Sequence, residues 1–215
     1  MKTWNRNQVF SLLVAVMGTA AFITGCATEK PQKTGFLSDY SKLRKNPNFD
    51  GSYIYLNPKT PLKNYTKFIV KPVQVRLTKK AKERDVDSAK LKELAEYTHK
   101  TIVSELKKSG YGVVNSPGPG TLILRLALTD IDPAIILLNI HPGSILTGAG
   151  LGGASAEAEF LDSQTGQVVA AAIESQKGER GFDGLTKYGN AENVIDRWAK
   201  RLVIRMDKEH GRTRK

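Results

Sequence analysis

The sequence predicts an α/β (α+β) fold: a two-layer sandwich with a mixed sheet of about four to six strands and two main helices. Three observations carry this. Two segments of about twenty residues, beginning near Ser88 and near Asn190, repeat apolar side chains at helical spacing. Several shorter stretches alternate as strands do, and one pair is joined by a glycine-containing turn that reads as a hairpin. The order strand, helix, strands, hairpin, helix lets two helices cover one face of a single sheet. Apolar residues make up 40% of the 215 positions and only nine are proline, which suits a packed core rather than disorder.

The elements follow in order. Residues 27–52 are polar and turn-rich, with Gly35, Gly51, Pro31 and Pro47, and read as a tether. Within them "TGFLSDYSKL" places Phe36, Leu37, Tyr40 and Leu43 at near-helical spacing. So short a helix is marginal alone in water, so this stretch is expected to dock its apolar side on the domain. "YIYLNP", from Tyr53, is a short strand stopped by proline, and "YTKFIVKPVQV" is a strand in which Pro72 marks an edge or a bulge. The charged stretch 79–87 leads into the clearest helix. Its stripe is Leu91, Leu94, Ala95, Ile102 and Leu106, with Asp87 or Ser88 placed to cap it and Gly110 to end it. "YGVV" and "TLILRLALTDI" are strands, the second with Leu122, Leu124, Leu126 and Leu128 on one face. "ASAEAEFLD" and "QVVAAAIES" form the hairpin around Gly166, with Glu157 and Glu159 on one face and Ala156, Ala158 and Phe160 on the other. Asn190 is placed to cap a last helix that turns Val194, Ile195, Trp198, Leu202 and Met206 inward, and residues 208–215 form a basic tail expected to fray.

The first 25 residues have another character. Lys2 and Arg6 give a positive start, and "VFSLLVAVMGTAAFI" then runs for fifteen residues without charge. As a helix that run spans about 22 Å, short of the roughly 30 Å hydrocarbon layer of a bilayer. It reads as an export signal rather than a permanent span. "ITGC", ending at Cys26, resembles the bacterial lipobox after which lipoprotein leaders are cut. In that pattern the cysteine sulfur carries a diacylglycerol and the freed amine a further acyl chain. Cys26 is the only cysteine in the chain and no histidine precedes His99, so a local thiol–base pair has no partner in the sequence nearby. One acyl chain holds a protein only marginally, whereas two or three on one residue hold it durably. Ala27, in place of aspartate, resembles lipoproteins sent on to the outer membrane of a Gram-negative envelope.

This gives a division into leader 1–25, lipidated tether 26–52 with its docking segment, one α/β domain 53–207 and tail 208–215. The formal charge of +12 becomes +10 once Lys2 and Arg6 leave with a leader that has no acidic residue. Export makes nucleic acid an unsuitable partner for that charge and leaves anionic headgroups or cell-wall polymer as counter-surfaces.

The lipobox together with "TGFLSDYSKL", "FIVKPVQV", "LRLALTDIDPA" and "GGASAEAEFLDSQTGQVVAA" resembles the bacterial lipoproteins of domain-of-unknown-function family 3313 (DUF3313). The likeness spans nearly all of the mature chain. It implies a localisation and no catalytic residues. More loosely, the element order is similar to small α/β domains of other periplasmic assembly lipoproteins, a likeness of fold that carries no function.

Of the chemical motifs, "GAGLGG" fits G-x-G-x-x-G through Gly148, Gly150 and Gly153, but a dinucleotide site needs a helix after it and "ASAEAEF" is a strand pattern. Residues 133–156 contain no Lys, Arg, Asp or Glu. Pro142 and Gly143 in their middle argue against a lipid-spanning helix and for a loop or short helix folded on the domain, or for an oligomer or partner contact. His99, His141 and His210 are too far apart to pair around a metal, and there is no G-x-S-x-G. The carboxylates Asp130, Asp132, Glu157 and Glu159 could serve acid–base cleavage of a cell-wall polymer if they shared a groove. Otherwise Glu157 and Glu159 pair with Arg125 or neighbouring lysines. The expectation is therefore a lipid-anchored, non-enzymatic protein on the periplasmic face of the outer membrane. It needs no cofactor or metal, and its partners are membrane lipid through Cys26 and an envelope protein or peptidoglycan. A polymer-active enzyme and an oligomeric secretion or transport accessory are the alternatives; the sequence leaves the oligomeric state open.

Overall fold

A computed structural model describes residues 31–84, 86–134, 151–178 and 187–213. Two short strands, β1 (Arg44–Lys45) and β2 (Ser52–Leu56), precede β3 (Lys67–Val70) and β4 (Gln74–Val75). A one-turn helix α1 (Lys79–Lys82) and the long helix α2 (Ser88–Lys108) follow. Then come β5 (Gly112–Val113), β6 (Thr121–Asp132), β7 (Gly153–Asp162), β8 (Val168–Lys177) and the closing helix α3 (Gly189–Glu209).

All eight strands form one mixed sheet in the order β1-β2-β8-β7-β6-β3-β5, with β4 also paired to β6. β6, β7 and β8 make an antiparallel meander, while β3 runs parallel to both β6 and β5. The sheet exceeds the expected four to six strands because three of the eight are two-residue pieces. β3 and β4 are one strand interrupted at Pro72, which has no N–H to give the ladder. β3 meets residues 121–124 of β6 and β4 meets residues 127–128.

The core lies between one face of the sheet and the two long helices. Leu122, Leu124, Leu126 and Leu128 of β6 meet Leu94, Ile102 and Leu106 of α2 and Val194, Ile195 and Met206 of α3. α2 starts as expected, its Asp87 carboxylate accepting from the Ala89 N–H at 2.8 Å, and stops before Gly110 at φ +77°. Asn190 does not cap α3. The N-cap position is Tyr188, and the Asn190 amide instead donates to the Leu151 carbonyl at 2.6 Å, tying the helix start to the chain entering β7. Up to Arg212 the tail packs back on the domain rather than fraying: the Arg212 N–H donates to the Asp207 carbonyl at 2.8 Å, and its guanidinium lies 5.3 Å from the centre of the Tyr111 ring.

Candidate functional site

The helix layer does not cover the sheet. Seven strands abreast at about 4.8 Å spacing are roughly 29 Å wide, whereas two helices side by side cover roughly 20 Å. About one helix width of sheet is left over, on the β8–β2 side. The residues there form three cross-strand rows on the helix-side face: Ser52, Glu174 and Ala156; Ile54, Ala172 and Ala158; Leu56, Ala170 and Phe160. Four of the nine are alanine, too short to fill the space beneath the edge of α3. The result is an open cavity of about 470 Å³, walled by Trp198, Arg201, Leu202 and Arg205 of α3 and closed at one end by Asn46, Asn48 and Phe49 of the β1–β2 loop.

Polar groups in the cavity gather at the Glu174 row. The Glu174 carboxylate accepts from Trp198 Nε1–H at 2.9 Å and is ion-paired to Arg201. Arg201 also lies over the Phe49 ring, 4.6 Å from its centre, so one guanidinium links β8, α3 and the loop. Arg205 pairs with Glu209 one turn on, at 2.8 Å. Phe49 and Leu56 stay 40% and 37% exposed, so the apolar interior continues outward to the rim.

The opposite face of the sheet carries the residues picked out from sequence. Glu157 and Glu159 point there from β7, and neither is solvated: both are 0% exposed. Residues 34–43 lie across them as an irregular strap rather than a helix. Glu157 Oε1 accepts from the Thr34 N–H at 2.7 Å and the Thr34 hydroxyl at 3.0 Å, and its other oxygen accepts from the Tyr40 hydroxyl. Glu159 accepts from the Ser38 N–H at 2.9 Å and from Arg125 at 3.0 Å. Phe36 and Leu37 are buried against Ala127 and Ala171, and Arg125 covers the Phe36 ring at 5.1 Å. Burial, with the Glu157 carboxylate beside it, pushes the Tyr40 hydroxyl above its ordinary pKa, so it remains a donor across the physiological range. The docking expected of "TGFLSDYSKL" is thus present, and the expected Arg125 pairing falls on Glu159.

The other two carboxylates lie elsewhere. Past an irregularity in β6 between Leu128 and Asp130, Asp130 and Asp132 both pair with Arg84, which follows α1. Burial raises the pKa of Asp132 despite that arginine. Among the described residues the four carboxylates share no groove, and Glu174, absent from the sequence candidates, is the one that lines the cavity. Gly152 and Gly153 lead into strand β7, so no helix follows the glycine motif; Gly148 and Gly150 lie outside the described residues, as do His141 and most of the apolar segment 133–156. His99 Nδ1 lies 3.3 Å from the Lys71 carbonyl and His210 Nδ1 lies 2.8 Å from the Met206 carbonyl. Among the described residues no cluster of metal-ligating side chains forms, and no helix is long and apolar enough to cross a membrane.

Residues 32–202 match the family model described as "Protein of unknown function (DUF3313)". The chain belongs to the DUF3313 family. A search of the curated proteins finds no match. Among solved structures, a PelC dodecamer from Paraburkholderia phytofirmans is similar at 11% identity over 76% of this chain and 98% of that one, with a TM-score of 0.40. XCC0632 from Xanthomonas campestris, of family DUF330, is similar at 13% identity over 74% and 94%, with a TM-score of 0.42. A DUF4136 protein, BT2437, from Bacteroides thetaiotaomicron is similar at 13% identity over 71% and 96%, with a TM-score of 0.40. Likeness at this level says nothing of what the DUF3313 chain does.

Proposed function

We propose that this DUF3313 protein is exported, cut before Cys26, lipidated there and held at the periplasmic face of the outer membrane. There its domain works by binding rather than by catalysis. The observation that carries the reading is the strap. Its first docked residue, Thr34, is only seven residues beyond Ala27. At about 3.3–3.6 Å per residue, an anchor at Cys26 keeps the docking point within roughly 25–30 Å of the lipid surface. Two buried glutamates fasten that leash to one face of the sheet and leave the other face, with its cavity, open to a ligand.

The non-enzymatic part is supported by what the candidate carboxylates do. Glu157 and Glu159 are occupied by the strap, and Asp130 and Asp132 by Arg84. An acid–base pair for glycoside cleavage needs two carboxyl groups facing one sugar ring. The test of anchoring is growth with an alkyne-tagged palmitate, followed by fractionation. The wild-type chain takes up label and sediments with outer membrane. Cys26→Ser takes up none and accumulates with its leader attached. Equal labelling of the two would overturn the proposal.

A further inference from the structure

We infer that the cavity between β8, β2 and α3 is a binding site for a single alkyl chain bearing an anionic head. The chain lies along the alanine floor and the head meets Arg201 and Arg205. This deepens the binding reading above, yet it does not depend on where the protein is anchored.

Shape comes first. A cavity of about 470 Å³ lies within the range of roughly 300–1,000 Å³ seen for small-molecule sites. Its floor is long and smooth: three rows two residues apart run for roughly 14 Å along the strands at about 3.4 Å per residue. Ala158 and Ala172 face each other across β7 and β8 in the middle row, so those two strands offer only methyl groups to the channel there, with Ile54 lining it beside them. A narrow, unbranched, flexible chain fits such a channel; a planar polar ligand would find no hydrogen-bonding groups along it.

Polarity is arranged end to end. The middle and outer rows are apolar, and only the Glu174 row and the facing side of α3 carry charge. Arg201 and Arg205 are the cationic residues lining the cavity, and each is ion-paired through Nη2, Arg201 to Glu174 and Arg205 to Glu209, so the two pairs balance in charge. A guanidinium has five N–H donors, so each arginine keeps donors with which to bind an incoming carboxylate or phosphate. Phe49 and Leu56 add exposed apolar surface at the mouth. They are two of the four large apolar side chains exposed among the described residues, and an amphiphile entering tail first would cross them. A fatty acid and a lysophospholipid both have this chemistry.

The experiment uses the full chain carrying Cys26→Ser, purified without detergent, so that no acyl group of its own competes. cis-Parinaric acid is titrated by fluorescence and then displaced by palmitate, by lysophosphatidylglycerol and by dodecyltrimethylammonium. The probe is expected to saturate a single class of site. Displacement by palmitate alone assigns a carboxylate head, by the lysophospholipid alone a phosphate head, and by both a site for either. The cationic amphiphile is expected to displace at least about tenfold less well. Shortening a competing fatty acid should weaken it by about fourfold per methylene lost. Arg205→Gln should weaken the probe about tenfold. Ala158→Leu with Ala172→Leu should abolish binding without lowering the melting temperature, since the leucines fill space rather than create it. The inference is overturned if the probe does not saturate, if the double leucine variant binds as wild type, or if the cationic amphiphile competes as well as palmitate. None of these outcomes bears on lipidation at Cys26.

Discussion

Replacing Tyr40 with phenylalanine tests the strap at its hub. The Tyr40 oxygen donates to Glu157 and accepts from the Gly35 N–H at 2.9 Å and the Leu37 N–H at 3.3 Å. Tyr40→Phe keeps the ring and removes all three bonds. Gly35 is exposed, so water replaces what its amide loses, and the Leu37 bond at 3.3 Å is long and weak. The Glu157 carboxylate is 0% exposed and loses a donor it cannot replace. A hydrogen bond to a charged group contributes about 1.5–3 kcal/mol, so the variant should lose about 2 kcal/mol. For a domain of this size that lowers the melting temperature by about 4–8 °C. Circular dichroism melts give the shift, and amide exchange followed by mass spectrometry locates it. Residues 34–43 should exchange faster while β6 and β7 are unchanged well below the melt. A melting temperature within about 1 °C of wild type, with unchanged exchange in the strap, would refute the strap as a structural part of the domain.

Other predictions follow from single contacts. Tyr65 and Tyr97 are each pushed up to about 12, by burial first and then by the Asp162 and Asp196 carboxylates they donate to. Their contribution to stability is present in full below the unfolded value of about 10 and is lost as pH rises toward 12. Tyrosinate absorbance should show these two ionising well above pH 10, together with alkaline unfolding; ionisation of both near pH 10 without loss of fold would contradict this. A Cβ at Gly178 would lie 2.3 Å from Asn190 Cβ, so Gly178→Ala should cost about 1–3 kcal/mol in urea melts. Gly152 sits at φ +72°, where a Cβ would also meet the Asp132 carbonyl at 2.5 Å; Gly152→Ala should cost at least as much, and a neutral result would contradict the chain path into β7.

Local pattern made much of the fold legible. Period-two alternation placed the leucines of β6 and the glutamates of β7 on their faces, and helical spacing with Asp87 and Gly110 delimited α2. What escaped depends on distant coverage. Glu157 and Glu159 resemble a solvated or salt-bridged face until a strap some 120 residues earlier in the chain closes over them. β1 and β5 are two-residue pairings that exist only because a longer strand lies alongside, and Asn190 has the chemistry of a helix cap but lies two residues past the N-cap Tyr188, with its amide N–H given to the Leu151 carbonyl. The cavity was hidden for the same reason. The alanines of "ASAEAEF" and "QVVAAAIES" look like tight helix–sheet packing, and only the width of the sheet relative to two helices shows that some of them face open space.

The most direct test of export and lipidation is the mass of the amino-terminal peptide of the protein recovered from separated membranes. Cleavage and acylation at Cys26 give a peptide beginning at Cys26 that carries a diacylglyceryl thioether and an acylated amine, found in the outer-membrane fraction. An unmodified cysteine, or a chain still beginning at Met1, would contradict it.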